Sequence, residues 1–299
     1  DFIVHGEGEE ALHELCDAIL NSKSYENIKN IGFLKNDKLV LNPMRTELLD
    51  LDKAPFPAWD LVDFKDYEID MSCYYNPKQH VIKNRVPIFS SRGCPMNCNF
   101  CDMFLVMGKK HRKRSVKTIV NEMEYLYNEL GVNYFSFMDD QLTLNKAHIM
   151  DLCNEILKRK IKIIFDTPNG LWINSLREEV IAKMVEAGLV NAKIAIEHGD
   201  DCMRNKIIGK VLDRKKIFEV AGLLKKYKVM SSGFFIMGFP EETPETLKNT
   251  YDMVHDLELD RIGISTLIPL PGTSLFKQVV RDKLFIRDWN LDELWKTPI

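Results

Sequence analysis

The sequence predicts an α/β fold in which a parallel sheet curls into part of a barrel. Three observations predict it: six short apolar, β-rich runs, amphipathic helical stretches between them, and strand ends spaced roughly 30 to 45 residues apart, the length of a βα unit. The predicted strands are residues 87–90, 134–138, 161–166, 193–197, 233–237 and 262–268. We therefore expect a partial (β/α)6, TIM-like barrel over residues 87–285, with functional residues at the carboxyl ends of its strands.

The predicted helices between these strands carry recognisable start and stop signals. Residues 116–130 and 178–187 have apolar side chains at helical spacing, and Gly188 follows the second of these segments as a helix-terminating glycine. Thr243, Pro244 and Glu245 form an N-cap, a first-turn proline and an acid near the positive end of a helix. Glu241 and Glu242 are therefore interpreted as structural residues.

The first 86 residues do not follow this rhythm. Residues 1–22 predict a short strand, a turn and a helix with Leu12, Leu15, Ile19 and Leu20 on its apolar face. Residues 23–86 are expected to be an irregular linker, since prolines in the segment 51–59 forbid a continuous helix.

The composition excludes several classes of protein. The 299 residues are 45% hydrophobic and 28% charged with a formal net charge of −3, so no general attraction to nucleic acid or anionic membrane is expected. No apolar stretch is long enough for a membrane span. The chain starts at Asp1 without an initiator methionine or a signal peptide, as the middle of a longer protein would. Seven cysteines, three of them clustered, predict metal-binding thiols in a reducing cytoplasm.

The three clustered thiols, Cys94, Cys98 and Cys101, lie in one loop directly after the first predicted barrel strand. An iron–sulfur cube held wholly by protein needs four thiolates, so three leave one iron open to an outside ligand. The alternatives are a structural zinc site or an electron-carrying cluster, for which Cys73 or His111 is the nearest fourth ligand.

The spacing CxxxCxφC, with Phe100 as the aromatic residue before Cys101, resembles the signature of the radical S-adenosylmethionine (radical SAM) superfamily. The resemblance covers about residues 88–285. It implies a [4Fe–4S] cluster whose unique iron chelates S-adenosylmethionine (SAM). Reductive cleavage then yields a 5′-deoxyadenosyl radical that abstracts hydrogen from a small-molecule substrate.

The resemblance also implies a cofactor-binding residue at each strand end. Asp139 and Asp140 stand where the family binds the methionine amino group, Glu197 where a carboxylate accepts bonds from the ribose, and Lys210 where a basic residue pairs with the SAM carboxylate. The remaining implied contacts flank or underlie the adenine and are Ile236, Gly238 and Pro269.

The N-terminal residues resemble those of one subfamily. Residues 5–9 and the following helix, with the segment 51–60, are similar to the end of a Rossmann-like cobalamin-binding domain and its connection to the barrel. Residues 1–22 would be the remnant of that domain, 23–86 the linker and 286–299 the start of a truncated C-terminal extension. Cobalamin would then belong to the full-length protein.

The favoured function is a cobalamin-dependent methyltransferase acting on an unactivated carbon or on phosphorus. The alternatives are a radical SAM enzyme without cobalamin, of the methylthiotransferase or porphyrin-oxidase kind, and a non-catalytic iron–sulfur or zinc module. The implied electron donor is reduced flavodoxin or ferredoxin. The basic run 109–114 is interpreted as a solvated loop, with a docking patch for an acidic donor as the sharper hypothesis. His198 receives no role.

Overall fold

The computed structural model describes residues 1–64 and 79–286. At its centre is a six-stranded sheet in which all neighbouring strands are parallel, and its spatial order runs from residues 261–266 through 230–237, 189–197, 164–171 and 134–137 to 85–88. The strands are β4 (Arg85–Ile88), β7 (Tyr134–Phe137), β8 (Ile164–Leu171), β9 (Leu189–Glu197), β10 (Met230–Met237) and β11 (Arg261–Thr266). Strands that follow one another along the chain are neighbours in space, which confirms the predicted α/β, partial-barrel fold.

Helices connect these strands and bury an apolar face against the sheet. Their bounds are α3 (Val116–Glu129), α4 (Lys146–Lys158), α5 (Glu178–Glu186), α6 (Arg214–Lys226), α7 (Pro244–Asp256) and α8 (Ser274–Arg281). The Thr243 hydroxyl accepts a bond from the Thr246 amide and Pro244 occupies the first turn of α7, as predicted. Within residues 1–64 and 79–286, no helix has both the length and the hydropathy needed to cross a bilayer.

Strand β8 departs from the prediction, which ended it at Asp166. It continues to Leu171, and its register with β9 shifts between Thr167 and Leu171. Gly170 takes a φ of +91° inside this bulge. Proline and glycine at 168 and 170 resemble a turn in the sequence, but here they bend a strand that continues beyond them.

The N-terminal residues form a second, antiparallel sheet, so the expectation of irregular structure is wrong for residues 31–41. Strand β2 (Ile31–Lys35) pairs with both β1 (Phe2–Val4) and β3 (Lys38–Leu41). Asn36 and Asp37, with φ of 52° and 60°, make the two-residue turn between β2 and β3.

Helix α1 (Glu9–Leu20) follows β1 as predicted, but its predicted apolar face is only partly correct. Leu15 is buried beside Ala11 and Ala18, whereas Leu12 and Ile19 are each 54% exposed and Leu20 is 81% exposed. The assignment of residues 1–22 to a cobalamin-binding domain and the domain limits remain predictions. Residues 287–299, most of the predicted truncated extension, lie outside the described residues.

Candidate active site at the carboxyl edge of the sheet

The cysteine loop lies beyond the carboxyl end of β4, as predicted, and its backbone is bonded to three other segments. The Cys94 amide donates to the Gly108 carbonyl at 3.3 Å. The Asn99 amide donates to the Ile208 carbonyl at 2.9 Å, and the Asn99 carbonyl accepts from the Leu275 amide at 3.1 Å. These bonds hold the loop between the segment after β9 and the start of α8.

Gly93, just before the first cysteine, permits the tight entry into this loop. Its φ is +89°, and an added Cβ would run into the backbone of Lys110. Both the left-handed conformation and the close backbone approach require glycine.

The three predicted thiols lie together. Cys94, Cys98 and Cys101 are half-buried, carry no disulfide, and line one cavity of about 430 Å³. Burial raises the pKa of Cys98 to about 11 and also raises that of Cys101, although Lys210 opposes both increases. A metal centre at this site would therefore displace protons as it binds.

No fourth cysteine and no histidine lines this cavity among residues 1–64 and 79–286. The His111 Nε2 lies 3.2 Å from the backbone carbonyl of Gln141, and the ring does not line the cavity. Cys73, the other alternative ligand, lies outside the described residues. In the same ranges, no three Cys, His, Asp or Glu side chains converge on a single metal ion.

Of the two acids after β7, only Asp140 lines the cavity. The buried Asp139 carboxylate accepts bonds from the Ser90 amide and hydroxyl and from the Ser91 hydroxyl, at 3.1, 2.6 and 2.5 Å. Burial raises the pKa of Asp139 despite these donors. Asp139 therefore ties the end of β7 to the start of the cysteine loop, outside the cavity to which the resemblance assigned it.

Asp140 accepts a hydrogen bond from the cysteine loop and also borders the cavity. Its Oδ2 accepts from the Gly93 amide at 3.1 Å, and burial raises its pKa. Asp140 therefore borders the cavity from the end of the second barrel strand, and its role as a cofactor contact remains a prediction.

Glu197 and Lys210 both line the cavity and form an ion pair. Glu197 Oε1 lies 2.8 Å from Lys210 Nζ, and the side chains are 8% and 10% exposed. Burial lowers the pKa of Lys210, but Glu197 and the nearby thiols more than offset this, so the pKa lies above its usual value. Glu197 ends β9 with a φ of +70°, a conformation rare for a residue with a side chain.

The remaining predicted cofactor residues lie around this cavity and not all on it. Phe100 lines the cavity and meets Phe239 edge to face, with ring centroids 6.3 Å apart. Ile236 packs into the same small apolar cluster as these rings. Gly238, with a φ of +100°, and the buried Pro269 stand beyond it at the ends of β10 and β11.

His198, for which no role was predicted, links the ends of two barrel strands. Its ring is fully buried; Nδ1 accepts from the Asp200 amide at 3.0 Å, so Nε2 carries the proton and donates to Glu242 Oε1 at 3.1 Å. Glu242 Oε2 accepts from the Gly238 amide at 2.5 Å. The turn after β10 is thus fastened to the end of β9.

Arg204 is a second residue that the sequence did not single out. It is fully buried in a π-helical turn, Met203–Ile207, and donates to the carbonyls of His198 and Leu212 at 2.9 and 3.0 Å. It thereby braces the loop that carries Lys210 into the cavity. An isolated Arg in a polar stretch offers no sequence signal for this role.

The residues of the outer wall of the cavity were also not predicted from the sequence. The bulged end of β8 supplies five consecutive residues to it, and apolar side chains from the cysteine loop, α2 (Met103–Val106) and β10 complete it. The wall residues are Pro168, Asn169, Gly170, Leu171, Trp172, Met96, Met103, Phe104 and Phe234.

The basic run 109–114 is only partly solvated. Arg112 pairs with Glu7, and Arg114 lies 2.7 Å from Glu122, so both arginines hold parts of the fold together. Lys109, Lys110 and Lys113 are exposed. A docking patch on this run would consist of lysines alone.

Comparison with known proteins identifies the family. The sequence profile of the radical SAM superfamily matches residues 88–254, just over half of the chain. The chain belongs to the radical SAM superfamily. The radical SAM segment includes the cysteine loop, both acids after β7, and the Glu197–Lys210 pair. The family confirms the expected cofactor class, a [4Fe–4S] cluster and SAM.

Relatives of this radical SAM chain include named methyltransferases and cyclases. An uncharacterised methyltransferase of Pyrococcus horikoshii is 29% identical, over 96% of this chain and 59% of its own length. Anaerobic magnesium-protoporphyrin IX monomethyl ester cyclase of Cereibacter sphaeroides is 28% identical, over 97% of this chain and 46% of its own. The chain thus spans about half the length of the relatives it matches.

Among solved structures, the radical SAM methyltransferase TsrM of Kitasatospora setae, bound to cobalamin and a [4Fe–4S] cluster, shares this fold. The TM-score is 0.74 at 19% identity, covering 97% of this chain and 55% of TsrM. The likeness includes the N-terminal sheet as well as the barrel.

The residues of this chain fit the radical SAM cofactors. Each thiolate of a cubane binds a different iron, so three thiols around one cavity suit a cluster better than a single ion. Because no fourth cysteine and no histidine lines the cavity within residues 1–64 and 79–286, the remaining iron would be open to an outside ligand. A carboxylate and an ammonium beside the thiols match the hydroxyl and carboxylate groups of SAM.

Proposed function

We propose that this chain is the catalytic core of a radical SAM methyltransferase that acts on a small molecule together with cobalamin held by the full-length protein. The proposal rests on one observation: a single cavity is lined by Cys94, Cys98, Cys101, Glu197 and Lys210. When bound, the cluster and SAM would supply the one-electron cleavage that begins radical chemistry.

The residues of the chain divide the binding work. The three cysteines would hold three irons as thiolates. Lys210 would bond the carboxylate of SAM and Glu197 its ribose hydroxyls, with Asp140 beside the methionine amino group. The His198–Glu242–Gly238 chain would hold the turn on which the adenine rests. The apolar wall made by β8 and α2 would exclude water from a reactive site.

Methyl transfer with cobalamin is the finer part of the proposal. It is supported by the methyltransferase relative from Pyrococcus horikoshii and by the fold shared with cobalamin-bound TsrM, which extends into the N-terminal sheet. Methylthiotransferase-like chemistry, which would want a second cluster, is less favoured because no second cysteine triplet occurs in the sequence. The cyclase relative keeps ring formation as the second candidate.

Anaerobic reconstitution tests the radical SAM assignment. The reduced protein should give an electron paramagnetic resonance (EPR) spectrum that shifts when SAM is added, because SAM would ligate an iron directly. Cys98→Ala should lose both the signal and SAM cleavage, while the exposed Cys202→Ala, a matched control, should keep them. A spectrum unchanged by SAM contradicts the proposal.

A longer version of the protein that includes upstream residues tests the cobalamin part. It should bind cobalamin and show corrinoid absorbance, and its product should gain one methyl group by mass. A product of unchanged carbon count with a new ring would instead favour the cyclase candidate.

We also propose reduced flavodoxin or ferredoxin as the electron donor and a reducing cytoplasm as the compartment. Two observations support this: the exposed lysines at 109 and 110 beside the cysteine loop, and the absence of a disulfide among the six cysteines within residues 1–64 and 79–286.

A further inference from the structure

The Gln141 side chain lies against one of the three thiols. Its amide Nε2 is 3.5 Å from Cys94 Sγ, within hydrogen-bonding reach of the large sulfur atom, and both residues line the cavity. The carbonyl atom Oε1 is buried and has no hydrogen-bond partner within residues 1–64 and 79–286. Neither the cysteine spacing nor the family signature includes Gln141.

The two residues before Gln141 also bond the cysteine loop. Asp139 bonds Ser90 and Ser91, and Asp140 bonds the Gly93 amide, so three consecutive side chains after β7 reach successive parts of the cysteine loop. The backbone carbonyl of Gln141 also lies 3.2 Å from Nε2 of the His111 ring. These attachments fix the backbone of Gln141 beside the cysteine loop, so that its side chain is within reach of Cys94.

Sulfur chemistry selects the orientation of the amide. A thiolate bound to iron carries no proton and only accepts hydrogen bonds, so the NH₂ end of Gln141 must face Cys94 and Oε1 must turn away. The orientation in the structure is already this one.

We propose that Gln141 is a positioning residue whose N–H···S bond to Cys94 raises the reduction potential of the cluster. Hydrogen bonds to ligand sulfurs stabilise the more negative, reduced form of a cluster relative to the oxidised form. Reduction adds one electron from the donor to the cluster and needs no proton at this site. The inference rests on the cluster proposed above.

EPR-monitored redox titration with dithionite and mediators measures the effect on reconstituted protein. Gln141→Leu removes the donor with little change in volume. We expect its ratio of reduced to oxidised cluster at a fixed solution potential to fall roughly tenfold, which is about 59 mV for one electron. Gln141→Glu, which places a carboxylate near the thiolate, should lower the potential at least as far. The matched control, Gln278→Leu, removes an equal amide from α8, where it bonds Glu241, and should leave the potential unchanged.

The outcomes separate this inference from the proposed function. If the unsubstituted protein forms no SAM-responsive cluster, the proposed function fails and takes the inference with it. If it forms one and both Gln141 variants keep its potential, only the inference is overturned. Should Gln141→Leu fail to assemble a cluster, Gln141→Glu carries the measurement. A drop of equal size in Gln278→Leu would mean that the shift is non-specific, which also overturns the inference.

Discussion

Glu197 Oε1 and Lys210 Nζ lie 2.8 Å apart on the cavity that holds the three thiols, with each side chain nearly excluded from water. The two residues come from different parts of the chain, the end of β9 and the loop after the π-helical turn. A buried pair of this kind loses much more when one partner is removed than when both are.

Lys210→Met should destabilise the protein by about 3–5 kcal/mol, because it leaves the Glu197 carboxylate buried without its counter-charge. Urea unfolding at neutral pH measures this. Replacing Glu197 by Gln in the same protein should restore much of the loss. Lys225→Met removes a lysine that is 67% exposed and pairs with Glu258, so it should cost at most about 1 kcal/mol. Equal losses in the two lysine variants would show that the Glu197–Lys210 pair contributes no more to stability than an exposed ion pair.

Asp139→Asn should change how stability depends on pH. Burial raises the pKa of Asp139, so between its unfolded value near 3.8 and its folded value the native state binds more protons than the unfolded state. The stabilisation that follows from this raised pKa is therefore fully present below the unfolded pKa and is lost as pH rises through the folded pKa. As pH falls from 7 towards 4, the free energy of unfolding of the unsubstituted protein should increase relative to that of Asp139→Asn. A constant difference across this range would contradict the raised pKa.

His198→Leu should loosen the turn after β10. The change leaves Glu242 and the Asp200 amide without their imidazole partner, at about 1–3 kcal/mol for each buried group left unsatisfied. SAM affinity by calorimetry should fall more than cluster content, since the turn flanks the proposed adenine site and not the thiols. His255→Leu, at a 79%-exposed side chain on α7, serves as the control.

Gly93→Ala should prevent correct closure of the cysteine loop. Its φ of +89° and the nearby Lys110 backbone leave no room for a Cβ, so iron content after reconstitution should drop sharply. Gly222→Ala is the matched control: it lies within α6 with open space around it and should stabilise the protein by about 0.5–1 kcal/mol. Normal iron loading in Gly93→Ala would mean that the loop does not depend on this glycine.

Removing the exposed lysines at 109 and 110 should slow reduction by flavodoxin roughly tenfold at low ionic strength, with the difference vanishing at high salt. Stopped-flow kinetics measures this. Lys160 and Lys162, at the opposite edge of the sheet before β8, provide a control of equal charge change. Unchanged kinetics in the Lys109 and Lys110 variant would rule out docking at this loop.

Local patterns were sufficient to predict the parts of the site that are close in sequence. The cysteine spacing, the apolar strand before it and the acids after β7 are each recognisable within a few residues. The β2–β3 hairpin also had a local signal, the pair Asn36-Asp37 between two short apolar segments, which the interpretation as a linker overlooked.

Other features depend on contacts between distant segments and could not be predicted. His198 meets Glu242 across 44 residues, and Gln141 meets Cys94 across 47. The buried positions of Asp139 and Arg204 likewise follow from packing between strand ends. Proline and glycine at 168 and 170 indicate a turn locally, but β8 continues past them because Leu171 pairs again with β9.

Under the proposed function, the bulge in β8 would concentrate the residues that face the substrate in one short segment. A regular strand shows only alternate residues to one side, but here Pro168 to Trp172 all reach the cavity. Five adjacent codons thus shape one face of the chamber while the remaining strands stay intact. Directed evolution aimed at that short stretch has an unusually compact target for altering what the enzyme accepts.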